Sequence, residues 1–350
     1  MTKIDLENKI RNYASLYYAG NPEISDDEFD DLVDQLREID PNSYVLTTVG
    51  WGSGVETNGK KTDHKYQLIG SLNKIKNVDD IPNYRFPVVS AKLDGLSAVL
   101  YYKNGKLEKA VTRGNGTQGI DITEKVVRIL DGKTTIEPKL TCAIRGELVI
   151  SVNDWNSIIE ADSSLKNPRN TAAGIINRNE ITDDIDYVSL VVYNVIGMED
   201  AALDTYNQEG LYNLLNNNFT TVCPHEFGIN RKLSEIYEDY KKLYPCDGIV
   251  IGNQMVEHQS NDAMKYDQIA FKFPAEKRVT TVKDIIWTVT RTGRITPVLS
   301  VEPVELSGAT VSRCTAYNAK FVQDNKIEPG KTIVICRSNE VVPKVLEVLE

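Results

Sequence analysis

Apolar side chains recur every three to four residues over 3–18, Ile4, Ile10, Leu16 and Tyr17 among them, and this period predicts an amphipathic helix. Ala19-Gly20-Asn21-Pro22 breaks it. Ser25-Asp26-Asp27-Glu28 reads as a capping box, a serine followed three residues later by a glutamate. Phe29, Leu32, Val33 and Leu36 then carry a second helix from about Asp26 to Glu38, ended by Pro41-Asn42-Ser43. The two helices form a hairpin. Residues 44–65 are polar, hold Gly50, Gly52, Gly54 and Gly59, and read as a linker.

From residue 86 the period shortens. Leu96–Tyr102, an Asn104-Gly105 turn and Leu107–Thr112 make a strong hairpin signal. Further strands are expected at Ala143–Ile150, Val188–Val195, Ile249–Ile251 and Ile269–Phe273, with helices at 152–160, after Lys166, and at 206–217. Beyond 276 the strand-like segments Thr280–Val289, Ile295–Val304, Ala309–Thr315 and Thr332–Ile335 alternate with glycine-containing turns. About five short strands in so short a stretch suggest a small barrel of the oligonucleotide-binding (OB-fold) type. The expected class is α+β. It has a helical module at 1–60, a domain of antiparallel sheets at 61–275 and a β-barrel domain at 276–350.

Composition narrows the class. No apolar run approaches the ~20 residues of a membrane span, and the N-terminus lacks signal-peptide character. Cys142, Cys223, Cys246, Cys314 and Cys336 are odd in number and widely spaced, which supports neither a disulfide framework nor a zinc site. A reducing, cytoplasmic setting is expected. The net charge of −10 speaks against a nucleic-acid binder until its distribution is read. Residues 1–60 hold 5 basic and 12 acidic side chains, whereas 276–350 hold 11 and 9. The C-terminal part is the better candidate for phosphate.

The candidate chemistry centres on Ala91-Lys92-Leu93-Asp94-Gly95-Leu96. Strand alternation is expected to put Lys92 and Asp94 on one side of a sheet. A lysine in a partly dry, strand-lined pocket can lose its proton and act as a nucleophile. The plain alternative is an edge lysine on a hairpin turned by Asp94-Gly95. Arg113-Gly114-Asn115-Gly116-Thr117-Gln118-Gly119 is a glycine-rich loop with an arginine at its mouth, suited to a phosphate or to an ordinary turn. Glu147, Asp247 and Lys272 each lie on or beside an apolar strand. Two lysines and two acids in such places argue for an anionic ligand between sheets. In the helical hairpin, Tyr17, Tyr18, Asp26, Phe29 and Asp30 could hold a flat cationic ring, or could simply be a packed hairpin with a solvated acidic helix start. Arg291, Thr292 and Arg294, with Arg337, are the best phosphate contacts of the barrel.

In order, these motifs resemble the NAD-dependent DNA ligases of bacterial type, from about residue 8 to 350. Carrying the resemblance are Lys92-Leu93-Asp94-Gly95, Thr112-Arg113-Gly114-Asn115-Gly116, Arg145-Gly146-Glu147, Asn167-Pro168-Arg169-Asn170 with Ala172-Ala173-Gly174, Asp247-Gly248-Ile249-Val250, Phe271-Lys272-Phe273-Pro274, Arg291-Thr292-Gly293, Ile295-Thr296-Pro297 and Val342-Pro343. Pro22-Glu23-Ile24-Ser25-Asp26 with Phe29-Asp30 resembles the module that recognises nicotinamide mononucleotide.

The resemblance implies a nucleotidyltransferase domain whose Lys92 is adenylated by NAD with Mg2+. Catalytic residues would be Lys92, Asp94, Asp247 and Lys272. Nucleotide contacts would come from Ser71, Leu72, Ser90, Arg113, Glu147 (ribose) and Arg169. Tyr17, Tyr18, Asp26, Phe29 and Asp30 would hold the nicotinamide half. The partner would be nicked double-stranded DNA, gripped in part by Arg291, Thr292, Arg294 and Arg337.

This chain departs from the family pattern at several places. Gly252 stands where a lysine is expected, Ser90 where a glutamate is, and Asn177 where an arginine is, with Arg178 beside it. The sequence stops at the barrel, before the family's zinc finger, helix-hairpin-helix and BRCT domains. It therefore reads as a fragment, a minimal variant or a subunit whose second chain supplies those domains. Two alternatives go with these departures: a binding-only or regulatory ligase relative, and an ATP- or GTP-using RNA ligase or capping-type nucleotidyltransferase.

Overall fold

The computed structural model describes residues 1–18, 24, 26–47, 60–66, 68, 72–84, 87–162, 165, 167–198, 208–221, 231–253, 268–273, 276–289, 295–306, 309–338 and 342–349. It divides into two compact units, Met1–Glu23 with Leu32–Phe273, and Ile24–Asp31 with Pro274–Glu350.

The first two helices are α1 (Lys3–Tyr18) and α2 (Asp26–Ile39), followed by a single turn, α3 (Tyr44–Thr47), in the stretch expected to be linker. Leu6, Ile10, Ala14, Leu36 and Val45 are buried, at the 3.6-residue spacing that defined the helices. Ser43 Oγ donates to Glu7 Oε1 at 2.7 Å, and Lys3 pairs with Asp40 at 2.7 Å.

The next segment holds β1 (Lys61–Asp63), β2 (Lys74–Ile75), β3 (Pro87–Leu93), β4 (Leu96–Lys103), β5 (Lys106–Thr112) and β6 (Gln118–Ile120). Helix α4 (Thr123–Ile129), β7 (Cys142–Ile150), α5 (Val152–Ala161), α6 (Pro168–Asn177), β8 (Val188–Met198), α7 (Gln208–Asn218), α8 (Leu233–Lys241), β9 (Cys246–Asn253) and β10 (Gln268–Phe271) complete it. These strands form a β1-β6 ribbon and two four-stranded sheets, ordered β2-β10-β9-β3 and β5-β4-β7-β8.

Alternation decides which face of each sheet is core. On β5-β4-β7-β8, Ala98, Leu100, Ile144, Leu148 and Ile150 pack under Val126 of α4, Ile175 and Ile176 of α6, and Leu214 and Leu215 of α7. The opposite face carries Ser97, Arg145, Glu147 and Tyr193. On the other sheet, Val89, Ala91, Leu93, Ile249, Ile251 and Phe271 pack against Leu233, Ile236 and Tyr240 of α8, a helix that sequence periodicity had not suggested. Val149 and Val191 of the first sheet reach into this second core, so the two sheets share packing. The face left over carries Ser90, Lys92 and Lys272.

The second unit is dominated by a closed barrel of β11 (Lys277–Val289), β12 (Ile295–Leu306), β13 (Ala309–Thr315), β14 (Thr332–Ser338) and β15 (Val342–Val348), in the order β11-β12-β13-β15-β14. Helix α9 (Ala319–Asp324) lies between β13 and β14 in sequence and contributes Val322 to a core of Val282, Leu299, Val301, Leu306, Ile333, Ile335 and Val345. Alternate strand residues fill the lumen and closure leaves no long edge, as in small OB-type barrels. Among the described residues, no helix is long and apolar enough to cross a membrane.

Candidate active site

Lys92 points from β3 at the carboxylate of Asp247 on β9, its Nζ 2.6 Å from Oδ1 and 2.9 Å from Oδ2. Strict alternation forbids this meeting. Val89 pairs with Ile251 and Ala91 with Ile249, all four on the core face, so Asp247 would also turn to the core. Between Ala91 and Leu93, however, the register slips, and Leu93 pairs with Cys246. β9 thus spends three residues where β3 spends two. This β-bulge gives the core position to Cys246 and turns Asp247 onto the face of Lys92. Gly248 is the residue that permits it. Its φ is +153°, and a Cβ there would overlap the carbonyl oxygen of Phe271.

Lys272, just past β10, is the third member. Ala270 pairs with Val250 and Phe271 with Ile249, so Lys272 emerges on the Lys92 face, its Nζ 3.6 Å from Asp247 Oδ2. Its side chain is 8% exposed and that of Asp247 12%. Burial acts to raise the Asp247 pKa. Lys92 and then Lys272 outweigh it, and the carboxyl is held below its ordinary value.

Strand β3 ends at Leu93, so the alternation expected to carry Asp94 to the side of Lys92 stops one residue short. Asp94 is fixed instead by its backbone, which donates to Pro245 O at 2.8 Å, and by an ion pair between its carboxylate and Arg169. Arg169 is placed by the start of α6. Asn167 caps the helix by accepting from Asn170 N at 3.1 Å, and Pro168 opens the first turn. Gly95 then lets the turn lie directly on β7, since a Cβ would overlap the Leu148 carbonyl oxygen and press on Glu147.

Glu147 stands on that strand with Tyr193 Oη donating to it at 3.2 Å. Burial raises its pKa against the pull of Arg169, Arg145 and Arg113. Arg145 Nε donates to Ser97 Oγ at 3.3 Å, and its guanidinium lies 5.9 Å from the centre of the Tyr193 ring. Arg113 is anchored through its backbone N–H to Ser97 O at 2.9 Å. The loop behind it is tied down by His64. Both neighbours of His64 Nε2, at 3.0 and 3.1 Å, are carbonyl oxygens (Thr112 and Arg113), so Nε2 carries the proton. Nδ1 then accepts from Tyr101 Oη at 2.7 Å. Burial lowers the His64 pKa.

The structure therefore brings together Lys92, Asp94, Asp247, Lys272, Arg169, Glu147 and Arg113, with Ser90 on the same sheet face as Lys92. Five cations (Lys92, Lys272, Arg113, Arg145 and Arg169) face three carboxylates (Asp94, Asp247 and Glu147) at this site, a surplus that suits a polyanionic ligand. Leu72 lies partly buried just before β2, beside the contact of Ala270 N with Asn73 O at 2.8 Å. Phe29 and Asp30 are partly buried on α2, in the second unit. Ser71, Arg291, Thr292 and Arg294, and the side chains of Tyr17, Tyr18, Asp26 and Arg337, lie outside the described residues, as does Ser25 of the capping box. Arg145, Tyr193, Ser97 and His64 were not foreseen as site residues, although Arg145 shares the parity of Glu147 on one strand. Arg178 does not replace an arginine at 177: its guanidinium is paired with Asp184. Lys242 bonds Asp239 at 2.8 Å, and Lys241 lies 3.4 Å from Glu238 and over Tyr237, so α8 gives no substitute for a lysine at 252.

Two packed, largely antiparallel sheets with Lys92 on one and Glu147 on the other, followed by an OB-type barrel, have the arrangement expected of a nucleotidyltransferase of the ligase class. Comparison with known families makes this specific. Residues 65–276 match the NAD-dependent DNA ligase adenylation domain, and 279–350 match the NAD-dependent DNA ligase OB-fold domain. The chain belongs to the NAD-dependent DNA ligase family. It is 31% identical over 380 residues to a DNA ligase of Halothermothrix orenii and 32% identical over 388 residues to one of Sorangium cellulosum. In both cases the match takes in 99% of this chain and 56% of the relative, so the chain spans about half the length of these curated relatives. A solved Lig E DNA ligase structure matches 80% of the chain at 16% identity with a TM-score of 0.43.

Proposed function

We propose that this chain carries out the adenylation step of an NAD-dependent DNA ligase, with Lys92 as nucleophile. The supporting observation is the contact of Lys92 Nζ with Asp247, flanked by the buried Lys272. NAD is a substrate here. Its adenylyl phosphate enters the cationic pocket, with ribose hydroxyls toward Glu147 and the negative charge met by Arg113 and Arg169. Lys92 Nζ gives its proton to Asp247 or to solvent and attacks the α-phosphorus in line. A P–N bond forms, the P–O bond to nicotinamide mononucleotide breaks, and that group leaves with the electron pair. Lys272 is held where charge grows on the phosphorus oxygens and stabilises it. The lysyl-linked AMP then passes to the 5′-phosphate of a nick, and the 3′-hydroxyl displaces AMP to join the strands.

A three-part organisation goes with this reading: 1–60 for the nicotinamide half, 61–275 for adenylation and 276–350 for DNA contact. Magnesium does not find a protein-built cage. Among the described residues no three His, Cys, Asp or Glu are placed to hold a metal ion together, and Asp94 and Asp247 are each engaged by a cation. The test of the full reaction is a gel assay with a nicked duplex bearing a 5′-phosphate, NAD and the chain, alone or with a second chain supplying further ligase domains. Sealed product is expected. Absence of both sealed and 5′-adenylated strands in every arm contradicts DNA as the acceptor.

A further inference from the structure

Asp247 and Lys272 both stand where strand pairing runs out. The last pair between β9 and β10 is Ile249 with Phe271, so Asp247 lies two residues beyond it on one strand and Lys272 one residue beyond it on the other. Strand ends are held by fewer ladder bonds than strand centres and open more readily. The bulge adds to this, because its extra residue interrupts the ladder with β3. Yet Lys272 Nζ is kept 3.6 Å from Asp247 Oδ2, and both side chains are largely buried.

One side chain reaches a neighbour of each. Tyr237 of α8 donates its hydroxyl to the carbonyl oxygen of Cys246, the residue before Asp247, at 3.1 Å. Its ring stacks on that of Phe273, the residue after Lys272, with centroids 4.5 Å apart and planes 12° from parallel. The Phe273 ring also meets Phe271 edge-on at 4.9 Å, and the Lys272 N–H donates to Ile75 O at 2.9 Å, so the chain is tied down on both sides of Lys272. Tyr237 is partly buried against the core that α8 makes with the sheet, and Lys241 Nζ lies 5.1 Å from the centre of its ring. It works from behind the sheet, through the backbone that carries Asp247 and Lys272.

We propose that Tyr237 is a positioning residue for adenylation, its hydroxyl fixing the bulge that presents Asp247 and its ring fixing the strand end that presents Lys272. This deepens the adenylation reading and rests on it for the work that Asp247 and Lys272 do. Charge stabilisation needs its groups in place before the reaction, and a misplacement of about 1 Å costs about a hundredfold in rate. Left without its donor, the Cys246 carbonyl turns to find another partner, and the neighbouring Asp247 turns with it. Left without its stacking partner, Phe273 no longer anchors the chain just past Lys272. A single side chain on α8 thus sets the spacing of two charges that come from different strands.

The test is a double-mutant cycle on the full chain with Tyr237→Phe, Asp247→Asn and the double variant, and melting curves to show that each is folded at the assay temperature. Single-turnover labelling of Lys92 by NAD is the readout. Tyr237→Phe keeps the ring and loses the hydroxyl. It is expected to slow labelling about tenfold at saturating NAD, with the half-saturating concentration within about twofold of wild type. In the Asp247→Asn background the same change is expected to cost less than about twofold, because the group it positions is already disabled. Tyr237→Leu, which also loses the stack, is expected to slow labelling at least about tenfold more. An undiminished rate in Tyr237→Phe, an equal loss in both backgrounds, or a Tyr237→Leu rate no lower than that of Tyr237→Phe overturns the proposal. If the wild type takes up no label, the adenylation reading fails and the cycle is read in urea unfolding instead. A coupling of at least about fivefold between Tyr237→Phe and Asp247→Asn in the unfolding constant then supports the assignment, and additive effects overturn it.

Discussion

Lys92 meets Asp247 because β9 spends three residues opposite two of β3. The bulge is a condition of the site, and Gly248 is the condition of the bulge. Gly248→Ala places a Cβ on the Phe271 carbonyl at a φ of +153°, and strain of this kind costs at least about 2 kcal/mol. The expected outcome is a loss of that size in urea unfolding, together with loss of Lys92 labelling by NAD. Asp247→Asn keeps the shape but leaves the Lys92 and Lys272 ammoniums without their counter-charge, so it should lower stability as well as slow labelling about a hundredfold.

On the proposed mechanism Lys272 acts on charge that develops during the reaction, so its removal should be seen in rate more than in binding. Lys272→Met is expected to slow formation of the Lys92 adduct by about a hundred- to a thousandfold at saturating NAD. Single-turnover labelling measures it. A variant with normal rate and only a raised half-saturating concentration would make Lys272 a simple binding residue.

The Asp94–Arg169 pair joins the β3-β4 turn to the start of α6, and both side chains are partly buried, at 19% and 29% exposure. Pairs so placed couple more strongly than surface pairs. A double-mutant cycle with Asp94→Asn and Arg169→Met should give a coupling energy of about 1–2 kcal/mol in chemical unfolding. Additive effects would mean that the pair orders ligand groups and contributes nothing to the fold.

His64 ties the Arg113 loop to β4, and Lys109 and Arg145 add to burial in disfavouring its charged form. Its folded pKa lies below the unfolded value of about 6.5. Below that pH the unfolded chain takes up a proton that the folded chain refuses, so this contribution to stability is present above about pH 6.5 and is lost as the pH falls toward the folded pKa. Unfolding free energy measured from pH 7.5 to 5 should decline over that range. His64→Gln should flatten the decline, at some cost in stability at pH 7.5.

Much of this architecture was legible in the residues. The helix over 3–18, the Asn104-Gly105 hairpin, the apolar strands and the barrel segments follow from period and turn chemistry, which are local. Lys92, Asp247 and Lys272 stood out as charges beside apolar strands. What sequence did not reveal was how they meet. Alternation suggested Asp94 as the companion of Lys92, but a strand end and a bulge reassign that place to Asp247, 155 positions away. Neither feature has a period. Arg145 and Tyr193 were missed because a strand pattern says which residues share a face and leaves open which face looks onto a cleft. Helix α8 was missed for a related reason: its apolar residues Leu233, Ile236 and Tyr240 occupy a narrow stripe within a nine-residue segment rich in charge.

The central claim is a covalent bond between Lys92 and AMP drawn from NAD. Incubation of the intact chain with NAD, ATP or GTP in separate reactions containing magnesium, followed by intact mass measurement, tests it directly. A gain of one adenylyl group with NAD alone, located to Lys92 by peptide mapping and absent from Lys92→Ala, is the expected result. No gain with any nucleotide, or a gain with ATP or GTP in place of NAD, contradicts the account.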